Sequence, residues 1–172
     1  MSGQKVEIKF AELVASSRNK ISEKFANRSR VTVQWSHCSA STGAVQIAKE
    51  LAAALPDSAV LVVAGCDGAC FEAPVVTVGA TRYARVTSDD ISEIVGNLRL
   101  GEGRPDIDSQ PFFSPQTRIA LDGCGTLDSD DIDDYISSNG YAGVAASLQR
   151  TPEEVIEEVK ASGLKGRGGA YF

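Results

Sequence analysis

The chain has 172 residues, of which 42% are hydrophobic, and its 17 basic and 23 acidic residues give a formal net charge of −6. This length suits one compact domain with or without an appended piece, and the ordinary composition excludes wholesale disorder and a collagen-like fibre. The acidic balance argues against a general nucleic-acid binder, which needs a basic face.

The apolar residues of the first hundred positions follow the periods of an α/β fold. After Ser58, the run 59–64 is apolar throughout, which makes 58–64 typical of a strand that is buried on both faces in the middle of a sheet. Helices are expected over 4–28, 43–55 and 88–98, and strands over 31–35, 58–64, 74–78 and 81–86. After the first helix, these elements begin with β-α-β and end with β-β-α, which is the order of a thioredoxin-like layer.

An acidic segment follows a stretch that Gly and Pro residues break, so 101–117 is predicted to be a linker. Between Asp122 and Glu158, ten acidic residues stand against one basic residue. A short helix is expected from 128 or 129 to 138, with a solvated acidic first turn rather than a calcium site. Thr151 begins a last helix. We therefore expect domains at 1–100 and 118–172.

The longest apolar run, 59–66, is far shorter than the ~20 residues that a bilayer requires, so no transmembrane segment is predicted. The first seven residues lack the apolar core of a secretory signal. We therefore expect a cytoplasmic chain. In that compartment cysteines are more often metal ligands or redox groups than structural disulfides.

Three of the four cysteines follow predicted strand ends: Cys38 comes after the first strand, and Cys66 and Cys70 bracket the loop after the buried strand. If these strands are parallel neighbours, the three thiols meet at one edge of the sheet, where ligands usually bind in α/β folds. Iron–sulfur clusters are held mainly by cysteine thiolates and usually need four ligands. Cys124 and the only histidine, His37, are candidates for the fourth. The hydroxyls of Ser36, Ser39 and Ser41 are weaker candidates.

The spacing leaves other roles open for these residues. Three cysteines with His37 could bind structural zinc. Cys66 and Cys70 could instead be buried free thiols, or a redox disulfide, although thioredoxin-type motifs have two intervening residues rather than three.

The end of the chain, 162–172, is rich in glycine. Its backbone amides, with the charges of Lys165 and Arg167, could form an anion nest for a phosphate or pyrophosphate. For this chain in isolation, a flexible tail is the favoured interpretation. The segment lacks the Gly-Lys-Ser/Thr sequence of a Walker A loop.

The last third of the chain contains Ser-Gly-Leu-Lys-Gly-Arg-Gly-Gly-Ala at 162–170. With this stretch as its strongest part, the last third resembles the start of the FMN- and NADH-binding subunit of respiratory complex I. The same resemblance extends to the flavin subunits of NAD-linked hydrogenases, formate dehydrogenases and aryl-CoA reductases. The first hundred residues resemble the thioredoxin-like ferredoxin module that many such subunits carry, through Cys38 and Gly-Cys-Asp-Gly-Ala-Cys at 65–70. The other matching stretches are 118–125, 132–136, 140–141 and 151–156.

The resemblance implies an α/β fold in which a thioredoxin-like [2Fe–2S] domain is followed by a linker and by a short helical segment that opens an FMN-binding domain. The cluster would be held by Cys38, Cys66 and Cys70, and we assign Cys124, from the candidates above, as its fourth ligand. The family's four-cysteine module has a second cysteine soon after the first, and none follows Cys38.

By the same resemblance, Phe172 would lie near the nicotinamide of NAD, and four residues would contact the FMN phosphate or ribityl chain. FMN and NAD would be held only by a complete family member, so the chain alone is expected to be inactive towards NADH. The four FMN residues are Gly166, Arg167, Gly168 and Gly169.

The function implied is the electron-transfer part of an NADH-dependent FMN/iron–sulfur oxidoreductase, which passes electrons between flavin and iron–sulfur centres. Such a protein works with other subunits of a redox complex, either in the cytoplasm or peripheral to a membrane. Two alternatives remain open. One is a module without a cluster that docks a partner subunit through the acidic face at 122–158, and the other is a small zinc-binding adaptor.

Overall fold

Four strands and seven α-helices make up the part of the chain that the computed structural model describes, residues 3–79, 81–98, 100 and 110–166. Two short 3₁₀ turns, Cys70–Glu72 and Ser88–Asp90, lie between them. The strands are β1 (Ser29–Trp35), β2 (Ala59–Gly65), β3 (Val76–Val78) and β4 (Thr81–Tyr83). The helices are α1 (Gly3–Phe25), α2 (His37–Ser41), α3 (Ala44–Ala54), α4 (Ile91–Gly96), α5 (Ile132–Ser137), α6 (Ala142–Ser147) and α7 (Pro152–Ala161).

The described strands form one mixed sheet in the order β2-β1-β3-β4. β1 and β2 are parallel and pair along their whole length, from Ser29 opposite Ala59 to Trp35 opposite Gly65. β3 pairs antiparallel with β1 and with β4. The expected α/β class, the parallel pair and the hairpin are confirmed, whereas the thioredoxin-like assignment remains a prediction.

The predicted mid-sheet position of the strand at 58–64 is wrong, because β2 lies at the edge of the sheet and β1 is central. The free edge of β2 is covered by a segment from much later in the chain. The Ser129 amide and hydroxyl both donate to the Val63 carbonyl, at 3.0 and 2.9 Å, and Ala64 forms a β-bridge with Asp128. This segment, rather than another described strand, binds backbone groups at the free edge of β2.

The two faces of β1 have different roles. Val31 and Val33 are fully buried in the main core, between the sheet and helices α3 and α4. Because side chains alternate along a strand, Arg30, Thr32 and Gln34 lie on the opposite face, where they are also buried. The other buried members of the main core are Ile47, Leu51, Ala59, Val76, Val78, Val86, Ile91 and Ile94.

The helices follow the predicted pattern with local differences. α1 ends at Phe25, and the helix expected over 88–98 begins with the 3₁₀ turn and ends as α4. α5 begins later than expected because Asp131 is its N-cap, with a carboxylate that accepts from the amides of Asp133 and Asp134. α2 and α6 were not predicted. None of the helices in the described ranges has the length and apolar character needed to cross a bilayer.

The expected solvated turn at 128–134 is wrong, since its acids bind α1 and β1. Asp134 is fully buried and forms an ion pair with Arg30, with Oδ2 2.7 Å from Nη2. Lys24 pairs with Asp128 and with Asp131, at 3.3 and 2.6 Å. A buried charge is stable only when it is paired and hydrogen-bonded, and Arg30 meets that need for Asp134.

Asp133 also binds α1. The Ser17 hydroxyl donates to it at 2.7 Å, and Lys20 lies 2.9 Å from it. These hydrogen bonds, that of Ser17 first and that of Lys20 second, lower the pKa of the Asp133 carboxyl. Four carboxylates of the acidic face at 122–158, which the docking hypothesis assigns to a partner subunit, therefore form ion pairs within this chain. They are those of Asp128, Asp131, Asp133 and Asp134.

Part of the predicted linker is folded. Residues 110–117 form turns in which Phe113 is almost completely buried against Ala69. The remainder of the linker, 101–109, lies outside the described residues. The division into domains at 1–100 and 118–172 remains a prediction.

Candidate functional site

The structure brings three of the four cysteines to the carboxyl end of the parallel strand pair. The Cys66 and Cys70 sulfur atoms lie 3.8 Å apart on the loop that follows β2. All four thiols are free, and these two are too far apart for a disulfide bond, which is about 2.05 Å long. The thiol of Cys66, and to a smaller extent that of Cys38, raises the pKa of Cys70 to about 11.

Cys38 is placed by the short helix α2. Ser36 caps this helix, with a hydroxyl that accepts from the Ser39 amide, while the Ser39 side chain accepts from the Ser36 amide. Because β1 ends at Trp35, this capping box starts the helix at once and holds Cys38 in its first turn. Cys38 and the neighbouring His37 are both exposed to solvent.

The loop between Cys66 and Cys70 is shaped by the two residues that follow Cys66. The Asp67 carboxylate accepts from the Ala69 amide at 2.9 Å, which is an Asx turn. Gly68 has φ +101°, a conformation that side chains rarely tolerate, and its amide donates to Cys66 Sγ at 3.3 Å. The loop thus presents a sulfur atom that already accepts one hydrogen bond.

Buried polar groups support this loop from the sheet. Asp67 is buried, and it accepts a hydrogen bond from the Gln34 amide group and another from Arg82 Nη1, the latter at 2.8 Å. Sequence reasoning missed these three residues. Only the Asx turn had a local signal, the Asp-Gly pair inside the loop, whereas Gln34 and Arg82 lie on other strands.

Aromatic side chains surround the same loop. Phe112 packs edge-on against Phe71, with ring centroids 5.1 Å apart, and against Phe113 at 4.9 Å. The guanidinium of Arg82 lies 5.6 Å from the centre of the Phe113 ring. The folded part of the predicted linker therefore packs next to the thiol loop.

The thiol pair has the separation that a tetrahedral metal ion needs. Two sulfur atoms bound to one ion at about 2.3 Å, with a tetrahedral angle between the bonds, are about 3.8 Å apart. In the described ranges, no three or more His, Cys, Asp or Glu side chains are arranged to hold an ion as they stand. Cys38 is close enough to act on Cys70, but its side chain would have to adjust to complete a three-sulfur set.

Cys124 lies on a different loop. It lines a cleft of about 540 Å³ together with Gly65, Tyr135 and Tyr141. It is not among the thiols that act on Cys70. The cleft is nevertheless next to the thiol loop along the chain, because Gly65 directly precedes Cys66.

The predicted FMN and nicotinamide residues fall at the end of the described chain. Gly166 is the last residue described and is exposed. Arg167, Gly168, Gly169 and Phe172 lie outside the described residues.

Comparison with known proteins finds partial similarity to oxidoreductase subunits. The chain is 56% identical over 57 residues, 33% of its length, to the NADP-reducing hydrogenase subunit HndC of Solidesulfovibrio fructosivorans. It is 50% identical over 42 residues to an NADH-quinone oxidoreductase subunit of Escherichia coli, and 46% identical over 41 residues to the subunit of the same name from Aquifex aeolicus, each 24% of its length. No family model matches the chain.

These matches support the resemblance to NADH-binding flavoprotein subunits over a quarter to a third of the chain. They cover 12%, 9% and 10% of the respective relatives. The chain thus spans about a tenth of the length of the curated relatives that it matches.

Proposed function

We propose that the chain is the electron-transfer part of an NADH-dependent FMN/iron–sulfur oxidoreductase, and that its thiol loop holds a [2Fe–2S] cluster. The observation that carries this proposal is the 3.8 Å separation of Cys66 Sγ and Cys70 Sγ, with the Cys38 thiol beside them. The partial similarity to subunits named for NADH–quinone and NADP–hydrogenase activities supports the redox role.

Cys66, Cys70 and Cys38 would supply three of the four ligands. We propose Cys124 as the fourth, because its loop borders the cleft that Gly65 also lines, and His37 is the competing candidate. When bound, a [2Fe–2S] cluster supplies a centre that accepts and donates single electrons.

The surrounding residues would adjust the properties of this centre. The Gly68 amide donates to Cys66 Sγ, and hydrogen bonds to the sulfur atoms are among the factors that set the reduction potential. Because the pKa of Cys70 is about 11, its thiol is protonated at neutral pH in the metal-free chain. Metal ligands must be deprotonated, so binding of a cluster would release this proton.

The FMN and nicotinamide contacts belong to the complete protein in this proposal. Gly166, Arg167, Gly168 and Gly169 would contact the FMN phosphate or ribityl chain, and Phe172 would lie near the nicotinamide. Backbone amides of a glycine-rich segment suit a phosphate guest. In this proposal, hydride transfer from NADH takes place in the complete protein, and other subunits of the complex would accept the electrons.

The test is anaerobic reconstitution of the full chain with iron and sulfide, followed by metal analysis, visible absorption and electron spin resonance. We expect a brown protein with equal amounts of iron and sulfide. Cys66→Ser and Cys70→Ser should each reduce bound iron to the background level. A colourless, iron-free chain would contradict the proposal, and tightly bound zinc in its place would favour the adaptor hypothesis.

A matched pair of variants identifies the fourth ligand. If Cys124 holds that position, Cys124→Ser changes the spin-resonance spectrum or loses iron, while His37→Ala leaves both unchanged. The opposite result would assign the position to His37 and reject Cys124.

A further inference from the structure

A single arginine of the neighbouring hairpin holds both ends of the thiol loop. Arg82, on β4, donates from Nη1 to Asp67 Oδ2 at 2.8 Å and from Nε to Glu72 Oε2 at 2.7 Å. Asp67 directly follows Cys66, and Glu72 lies two residues after Cys70. One planar guanidinium therefore connects the residues that flank the two thiols.

The Arg82–Asp67 half of the connection is almost completely shielded from water, whereas Glu72 is partly exposed. The Arg82 side chain is 8% exposed and that of Asp67 is 0% exposed. Charge-assisted hydrogen bonds of this kind are shorter and stronger than neutral ones, and the guanidinium fork fixes their direction. The Phe113 ring lies against the guanidinium and limits its movement further.

The sheet explains why Arg82 can reach this loop. β4 is the last strand in the order β2-β1-β3-β4, so a loop that leaves β2 must cross the ends of β1 and β3 to meet it. Gln34, near the end of β1, binds Asp67 on the way. The loop is thereby fastened across the sheet rather than left on its own strand.

We propose that Arg82 is the positioning residue of the thiol pair: by bridging Asp67 and Glu72, it keeps the Cys66 and Cys70 sulfur atoms at the separation that one iron atom requires. The role of this bridge in binding iron rests on the proposed function. Its effect on the separation of the two sulfur atoms can be measured without any metal. Lysine cannot replace the bridge, because an ammonium group is a point charge without the planar fork.

The test measures the thiol pair without any metal. The probe is phenylarsine oxide, whose trivalent arsenic forms one bond to each of two thiol sulfurs, while the two thiol protons leave with the oxide oxygen as water. The full chain carries Cys38→Ser and Cys124→Ser, so that only Cys66 and Cys70 remain to be bridged. Mass spectrometry reports the adduct, and competition with a small dithiol gives the dissociation constant.

We expect Arg82→Gln and Arg82→Lys each to weaken arsenical binding at least tenfold. Arg28→Gln is the matched control, because this exposed arginine donates to the Asp57 carbonyl near the opposite end of the sheet, and it should stay within twofold of the parent. Circular dichroism checks that each variant still unfolds cooperatively. A folded Arg82→Gln chain that binds within twofold of the parent overturns the proposal.

Glu72→Gln provides a second test if Arg82→Gln does not fold. The Glu72 side chain is 26% exposed, so the fold should tolerate this change while one of the two anchors is weakened. We expect about threefold weaker binding, and unchanged binding in this variant would also reject the bridge. A parent chain that binds no iron would reject the proposed function, and weaker arsenical binding by Arg82→Gln would still support the positioning role.

Discussion

The buried ion pair between Arg30 and Asp134 offers the sharpest test of how the acidic segment is attached. Asp134 Oδ2 accepts from Arg30 Nη2 at 2.7 Å, and Oδ1 accepts from Nη1 at 3.3 Å. The two side chains are 2% and 0% exposed. The same carboxylate also accepts from the Asp128 amide at 2.7 Å. Asp134→Asn keeps the shape of this group and removes its charge.

The expected loss of stability is large because Arg30 would remain buried without a counter-charge. Removal of one partner of a buried pair costs about 3–5 kcal/mol. Native domains of ordinary stability unfold with about 5–15 kcal/mol, so this change would remove a substantial part of the total. Arg30 is poorly placed to compensate, because its Nε atom is already without a hydrogen-bond partner in the described part of the chain.

Urea unfolding, followed by circular dichroism and by fluorescence of the only tryptophan, Trp35, measures the effect. Lys160→Gln is the control, since this exposed lysine pairs with an exposed glutamate and its loss should change the unfolding free energy by less than about 0.5 kcal/mol. Arg30→Met combined with Asp134→Leu should recover most of the loss, because both charges are then absent. An Asp134→Asn chain within about 1 kcal/mol of the parent would refute the reasoning.

Two further predictions concern the same segment. The hydrogen bond from the Ser17 hydroxyl is the first cause that lowers the pKa of the Asp133 carboxyl below its ordinary value of 3.8. This carboxyl therefore stabilises the fold at pH values above 3.8, and its contribution is lost as the pH falls through the lowered pKa. The thermal midpoint should therefore fall in acid, and Ser17→Ala should flatten that dependence; parallel curves would contradict it. Gly140→Ala should destabilise the chain by about 1–3 kcal/mol, because the added Cβ would clash with the ring and carbonyl of Tyr135. Gly143, in α6, has open space where a Cβ would be added, so Gly143→Ala should stabilise the chain by about 0.4–1 kcal/mol. Urea unfolding measures both variants, and changes of the same sign in their unfolding free energies would contradict the packing argument.

The strands and longer helices could be predicted because their signals are local. The alternation of Val31 and Val33 with polar residues indicates β1, and the spacing of apolar residues indicates α1 and α3. The meeting of the thiol-bearing loops required one further assumption, that the first two strands are parallel neighbours, and that pairing is confirmed. The ligand assignment itself remains a prediction.

The partners of the buried polar residues could not be predicted, because they are far apart in sequence. Arg30 and Asp134 are 104 positions apart, and Gln34 and Asp67 are 33 apart. No periodicity or cap connects such pairs. The same limit explains why the predicted mid-sheet position of β2 is wrong. Its edge contacts Asp128 and Ser129, which are far away in sequence, rather than another described strand.

The opposite face of β1 connects the fold to the candidate site through two buried polar residues. Arg30, near the start of the strand, fastens the acidic segment, and Gln34, near its end, supports the thiol loop through Asp67. They are four positions apart along the strand, which is about 13 Å at a rise of about 3.3 Å per residue. Sites more than about 7–10 Å apart with no shared partners usually contribute independently to stability. The loss of Asp134 therefore weakens the attachment of the acidic segment while Arg82 and Asp67 still hold the thiols, so stability and thiol geometry can be perturbed one at a time in the same chain.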